Sequence, residues 1–152
     1  MPSAKVEHIV FYGTLSSGEA PYAELGLARA LELSGRIGLR GRLYDLGAYP
    51  GLVLGGQRAI EGELHRILDP SVLARLDRFE GYDARRPASS LFRRVSVEVP
   101  YPGSHADVSG AAARPITAWI YVFNGCARGR KSIDCESWRE HRLIRAAADR
   151  RA

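Results

Sequence analysis

Five β-forming runs, at 5–12, 37–46, 60–67, 90–100 and 116–124, divide this 152-residue chain, and only short helical stretches separate them. That alternation points to a single domain mixing strands and helices. The first run, Lys5 to Tyr12, ends abruptly at Gly13, which predicts a strand opening into a loop. The second alternates imperfectly around Gly38 and Gly41 and predicts a bent or bulged strand. Tyr49-Pro50-Gly51 reads as a turn, followed by a very short strand at Leu52 to Leu54. In the run at 60–67, Ile60, Gly62, Leu64 and Arg66 share one face, and Glu61, Glu63, His65 and Ile67 share the other.

Helical spacing accounts for three intervening segments. Tyr22, Leu25, Leu27, Leu31 and Leu33 predict one helix closed by Gly35. Asp69-Pro70 is a start signal, an N-cap followed by a first-turn proline, for a helix running to about Glu80 and stopped by Gly81. Asp134 is placed to cap a last helix over about 134–150 that turns Trp138, Leu143, Ile144 and Ala147 inward. The Gly-, Ala- and Ser-rich stretch at 102–114 predicts a mobile loop. No repeat or linker divides the chain, so residues 1–152 read as one α+β domain with its core at about 8–124.

Composition narrows the function. No window approaches the roughly 20 apolar residues of a membrane helix, and MPSAKVEHIVFYGTL lacks the pattern of an export signal, so the expectation is a cytoplasmic protein with no membrane partner. Cys126 and Cys135 form no CxxC pair and read as reduced thiols. The net charge of +5 comes from scattered arginines. RGRK at 128–131 and the run Arg142, Arg145, Arg150 and Arg151 read as a solvated helix face, without interleaved aromatics to stack bases, so no nucleic-acid partner is expected. His8, His65, His105 and His141 lack ligand spacing, which predicts no metal site. No GxxxxGK[ST] or GxSxG motif occurs. Trp119 and Tyr121 share a strand face and read as core.

One residue breaks the apolar pattern. On the helix at 70–80, Val72, Leu76 and Phe79 define an apolar stripe that Leu73 extends, while Arg75 and Arg78 point away. At about 100° per residue, Glu80 nearly eclipses Leu73 and lies about 40° from Leu76. A carboxylate on that stripe has two readings: an ion pair with Arg93 or Arg94, or a desolvated acid whose raised pKa suits proton transfer near neutral pH. Helical angle leaves both open. FYGTLSSG at 11–18 likewise reads either as an ordinary strand-to-helix turn or as a nest of unpaired N–H groups able to hold a carboxylate or an oxyanion.

Taken together, VFYGTLSSG (10–18), GRLYDLGAYPGL (41–52), IEGELHRI (60–67), LARLDRFEGYD (73–83), FRRVSV (92–97) and AWIYVF (118–123) resemble, in order and spacing, the γ-glutamylcyclotransferase-like family, of the γ-glutamylamine cyclotransferase type. The resemblance runs from Val10 to Phe123 and leaves out the last helix. It implies a small mixed-strand β-barrel with flanking helices. It also implies a substrate-binding loop of Tyr12, Gly13, Thr14 and Leu15, with Glu80 as catalytic acid/base and no cofactor or metal. The implied reaction is cyclisation of a γ-glutamyl amine or peptide, of lyase or acyltransferase type: the α-amine attacks the side-chain carbonyl and releases 5-oxoproline and a free amine. The implied partner is a small γ-glutamyl molecule. After the loop, Ser16-Ser17-Gly18-Glu19-Ala20 departs from the commoner family pattern, in which a basic residue often follows YGTL. A non-enzymatic ligand-binding domain on the same scaffold, or an amidase-like accessory domain, are the competing readings.

Overall fold

The computed structural model describes residues 5–102, 115–125, 131–133 and 137–151. Cys126, Cys135, Asp134, most of the 102–114 stretch and three of the four RGRK residues lie outside them. Six strands form one mixed sheet: β1 (His8–Phe11), β2 (Leu31–Asp45), β3 (Pro50–Ile67), β4 (Phe92–Pro100), β5 (Pro115–Phe123) and β6 (Lys131–Ser132), in the order β4-β5-β1-β3-β2-β6. The β1–β5 pair is parallel and the others are antiparallel. The sheet curls into a half-barrel, bringing Val97 and Glu98 of β4 opposite Gly38 and Arg40 of β2 across an open groove. Four helices accompany it: α1 (Ala20–Glu24), α2 (Leu27–Ala30), α3 (Val72–Phe79) and α4 (Trp138–Arg151).

Strand alternation divides the core in two. Val10, Leu39, Leu43, Leu52, Ile60, Leu64 and Ile120 fill the inside of the curl, closed by Ile133 and Trp138. Ile9, Phe11 and Tyr121 face the other way and are covered by Leu15, Leu27, Val72 and Leu76 from the loop and helices. Because both faces of the central strands are covered, each supplies apolar residues at consecutive positions. Burial of each such side chain contributes about 2 kcal/mol.

Several sequence expectations change here. The helix expected across Tyr22 to Leu33 is two short helices broken at Gly26 (φ 67°), and residues 31–35 belong to β2. Leu31 and Leu33 pair with Ile67 and His65, and ladder pairing outweighs a helical spacing that the glycine interrupts. β2 is bulged as expected, with register shifts between Leu33 and Gly35 and between Arg40 and Gly41. The turn expected at Tyr49-Pro50-Gly51 falls earlier, where Leu46 N–H donates to the Tyr49 carbonyl, and Pro50 already begins β3. The two strands expected at 52–54 and 60–67 are one strand, its register slipping past residues 55–58 through Gly55 and Gly56 in left-handed backbone.

Helix α4 is also turned differently. Trp138 is buried, but Leu143 (64% exposed) and Ile144 (55%) face outward, and Ala147 is exposed. The docked face is polar instead. His141 Nε2 meets Asp45 Oδ2 at 2.9 Å, Arg145 Nη1 donates to the same oxygen at 3.0 Å, and Arg142 grips both carboxylate oxygens of Glu19 at 2.8 and 3.1 Å. Arg142 and Arg145 are therefore anchors and not parts of a solvated face.

Candidate active site

Helix α3 begins two residues later than the Asp69-Pro70 signal, with Ser71 as N-cap; Asp69 Oδ1 instead accepts from the Ser71 N–H (3.0 Å) and hydroxyl (2.8 Å). The other end fits the expectation. Glu80 is the C-cap and Gly81, at φ 68°, turns the chain away, with Gly81 N–H donating to the Arg78 carbonyl and Tyr82 N–H to that of Asp77. The apolar stripe holds for Val72 and Leu76, both fully buried, and Leu73 is partly buried. Phe79 departs from it and is 44% exposed.

Glu80 lies where its helical angle puts it, mostly shielded from solvent. Among the described residues its carboxyl has no hydrogen bond or ion pair. The arginines proposed as partners are elsewhere: Arg93 is exposed, and Arg94 binds both carboxylate oxygens of Asp77 at 2.8 and 3.1 Å. Desolvation without compensation raises the Glu80 pKa from 4.5 to about 7. The helix C-terminus, where the peptide dipoles leave partial negative charge, acts in the same direction.

Tyr12, Gly13, Thr14 and Leu15 line one open cleft with Glu80, Tyr49, Pro50, Phe92 and Tyr121. The two features singled out in the sequence, 65 residues or more apart, are thus brought together. Strand β1 ends at Phe11, and the following loop folds back with Ser16 N–H donating to the Gly13 carbonyl at 3.0 Å. No acceptor within the described residues takes the N–H groups of Gly13, Thr14 or Leu15. Gly13 packs against Pro50 so closely that a Cβ there would stand 2.6 Å from Pro50 Cγ.

Supporting residues surround this pair, and sequence reasoning had not picked them out. The Tyr12 hydroxyl donates to the Tyr121 carbonyl at 2.6 Å, and burial followed by the nearby Glu80 carboxylate raises its pKa, keeping it protonated. Tyr121 donates its own hydroxyl to Asp77 Oδ1 at 2.6 Å, and Arg94 lies over the Trp119 ring at 4.4 Å. Behind the loop, Glu63 accepts from the Ser17 N–H (2.9 Å) and hydroxyl (3.0 Å) and contacts the buried His65 Nε2 at 3.1 Å. Burial would raise the Glu63 pKa, but the His65 and Ser17 hydrogen bonds outweigh it and the net shift is downward. Asp77 had one available signal: it precedes Glu80 by three residues, one helical turn. Among the described residues no group of three or more His, Cys, Asp or Glu side chains is arranged to hold a metal ion, and no helix is long and apolar enough to cross a membrane.

Residues 9–140 match the family model described as γ-glutamyl cyclotransferase, AIG2-like. The chain belongs to this family. A Vibrio cholerae relative, whose name assigns it provisionally to the γ-glutamylcyclotransferases, is 34% identical over 136 residues, 88% of this chain and 96% of its own. The γ-glutamylcyclotransferase family protein YtfP of Escherichia coli K12 is 34% identical over 97 residues, covering 64% of this chain and 66% of its own. Among solved structures, that of YtfP from Escherichia coli superposes with TM-score 0.58 at 27% identity, covering 86% of this chain and 95% of its own. An uncharacterized Pyrococcus horikoshii protein superposes with TM-score 0.60 at 19% identity over 94% of this chain and 98% of its own, a likeness of fold. The family relationship makes the chain γ-glutamylcyclotransferase-like, and its curled half-barrel with flanking helices is the form taken here by the mixed-strand barrel that the resemblance implies.

Proposed function

We propose that this protein cyclises a γ-glutamyl amine or peptide, releasing 5-oxoproline and a free amine, with Glu80 as the acid/base and Tyr12, Gly13, Thr14 and Leu15 as the substrate-binding loop. The observation that carries the reading is the unpartnered Glu80 carboxyl facing the YGTL loop across one cleft, with a pKa of about 7. A group poised there can take and return a proton at neutral pH.

The substrate's α-ammonium must lose a proton before it can attack. In its ionised form Glu80 takes that proton. The α-nitrogen then bonds to the γ-carbonyl carbon and closes a five-membered ring, with negative charge developing on the oxygen. The free N–H groups of Gly13, Thr14 and Leu15 are suited to that charge or to the substrate α-carboxylate, and one such donor is worth about 3 kcal/mol in a transition state. As the bond to the leaving nitrogen breaks, protonated Glu80 returns its proton to that nitrogen, and the second proton shed by the ring nitrogen passes to the departing amine, which leaves as an ammonium ion. Ring closure is intramolecular, so holding the substrate folded removes much of the entropic barrier.

The test is a mass-spectrometric screen of γ-glutamyl amines and peptides for conversion to 5-oxoproline, with Glu80→Gln as control. The wild type should convert at least one substrate, and the variant, isosteric but without a basic oxygen pair, should lose about 10²- to 10⁴-fold in kcat. A folded Glu80→Gln protein that forms 5-oxoproline at the wild-type rate overturns the assignment.

A further inference from the structure

The cleft around Glu80 continues outward between the end of α3 and the start of β4, and the residues lining this mouth differ sharply from those of the other groove beside the YGTL loop. From the loop and cleft come Thr14, Tyr49 and Phe92; beyond them stand Phe79, Leu91 and Arg78. Phe79 and Leu91 are large apolar side chains left 44% and 45% exposed on either side of Gly81. Neither is on a loose segment. Phe79 closes α3, where the Leu76, Asp77 and Arg78 carbonyls accept from the N–H groups of Glu80, Tyr82 and Gly81. The Leu91 carbonyl accepts from the Asn124 N–H at 3.0 Å, while the Asn124 side chain donates to the Pro87 and Ser90 carbonyls at 2.8 and 2.9 Å. Tyr49 and Phe92 meet edge-on at 5.9 Å and floor the mouth. A fixed, exposed apolar surface continuous with a reactive carboxyl has the character of a binding subsite.

The groove on the other side of Tyr12 and Gly13 is different. Its charged side chains are largely paired with one another or with neighbours, Arg36 with Glu61, Glu19 with Arg142 and Glu63 with Ser17 and His65, and Glu80 does not line it. The nitrogen that Glu80 protonates must lie against the Glu80 carboxyl, so the group attached to that nitrogen extends into the mouth that Glu80 shares.

We infer that the amine leaving this site has an apolar body, branched aliphatic or aromatic, and carries no positive charge beyond the reacting nitrogen. The inference rests on the cyclotransferase reading for the identity of the bond broken. Phe79 and Leu91 supply the contact for the apolar body. Arg78, the one cation among the described residues lining the mouth, opposes a distal ammonium. Such a body can belong to a simple alkylamine or to an apolar amino acid, whose carboxylate Arg78 can meet.

The experiment compares four synthetic substrates: γ-glutamyl methylamide, γ-glutamyl 3-methylbutylamide, γ-glutamyl-leucine and γ-glutamyl 4-aminobutylamide. Values of kcat/KM are measured on the wild type, and affinities on Glu80→Gln by calorimetry. The 3-methylbutylamide or the leucine substrate should exceed both the methylamide and the 4-aminobutylamide by about tenfold or more, in turnover and in affinity. Leu91→Ser, and independently Phe79→Ser, should shrink the 3-methylbutylamide to methylamide ratio by about tenfold. A leucine preference lost in Arg78→Gln assigns an amino acid; a preference indifferent to Arg78 assigns a free amine. Ratios within about twofold of one, or a preference for the 4-aminobutylamide, overturn the inference. If the wild type turns over none of the four while Glu80→Gln binds them in the expected order, the cyclotransferase reading falls and the apolar subsite stands. Turnover without that order has the opposite meaning.

Discussion

Tyr121 donates its hydroxyl to Asp77 at 2.6 Å, and this hydrogen bond ties the helix that carries Glu80 to the strand that anchors Tyr12. The same Asp77 carboxylate holds Arg94 on both oxygens, and the Tyr121 carbonyl accepts the Tyr12 hydroxyl. One continuous set of contacts thus sets the distance between the YGTL loop and Glu80. Asp77→Asn leaves Arg94, only 17% exposed, without its counter-charge. The expected cost is about 2 kcal/mol, a fall of roughly 4–8 °C in Tm, with lower kcat. Adding Arg94→Met should restore most of the stability but not the activity. Thermal melts on the single and double variants check this.

Glu80 should act on stability in the sense opposite to a salt-bridged acid. Its folded pKa, about 7, lies above the unfolded value of 4.5, so the native state binds the proton more tightly. Stability contributed by the protonated form is present below pH 4.5 and is lost as pH rises through 7, by an upper bound of about 3 kcal/mol. Glu80→Gln should therefore melt with the wild type near pH 4.5 and several degrees above it at pH 8. Equal melting temperatures at pH 8 contradict the burial argument. On the proposed mechanism, wild-type kcat/KM falls on the acid side with a midpoint near 7.

Tyr12→Phe removes the 2.6 Å hydrogen bond to the Tyr121 carbonyl and leaves that buried acceptor without the phenol. A loss of about 1–2 kcal/mol in denaturant unfolding is expected. Activity should fall further than stability, because the ring walls the cleft and without the hydroxyl nothing ties it to the Tyr121 carbonyl.

Gly13→Ala tests the fit of the loop against β3. The added methyl group meets Pro50 Cγ at 2.6 Å and Cδ at 2.9 Å, so loop or strand must shift. The expected cost is about 1–3 kcal/mol. A larger fractional loss in kcat/KM is expected than for alanine at Gly38, which has open space around it. Parallel chemical denaturation and steady-state kinetics on the two variants make the comparison.

Much of this site was legible because its two central features depend on local rules. The strand-to-glycine boundary at Gly13 and the placement of Glu80 by helical angle need only neighbouring residues, as does the stop at Gly81. What stayed hidden depends on partners distant in sequence. Asp77 becomes a support only when Arg94 and Tyr121 arrive, and Glu63 only when Ser17 folds over it. The arginines of α4 looked solvated because Asp45 and Glu19, about 100 residues upstream or more, give no local sign of pairing with them. Leu143 and Ile144 show the reverse: apolar spacing turned them inward in the sequence reading, and ion pairs on the other face turned them out.

The position of β1, between β5 and β3, has a consequence for the order of synthesis. β1 has its antiparallel neighbour at residues 63–66 and its parallel neighbour, made much later in the chain, at residues 119–120. A nascent chain stopped before β5 would hold β1 by a single edge, and Tyr12 would lack the Tyr121 carbonyl. The loop would then be tethered but unformed. The YGTL loop is thus completed only when β5 closes on β1, and a chain truncated before Pro115 should lack a formed cleft.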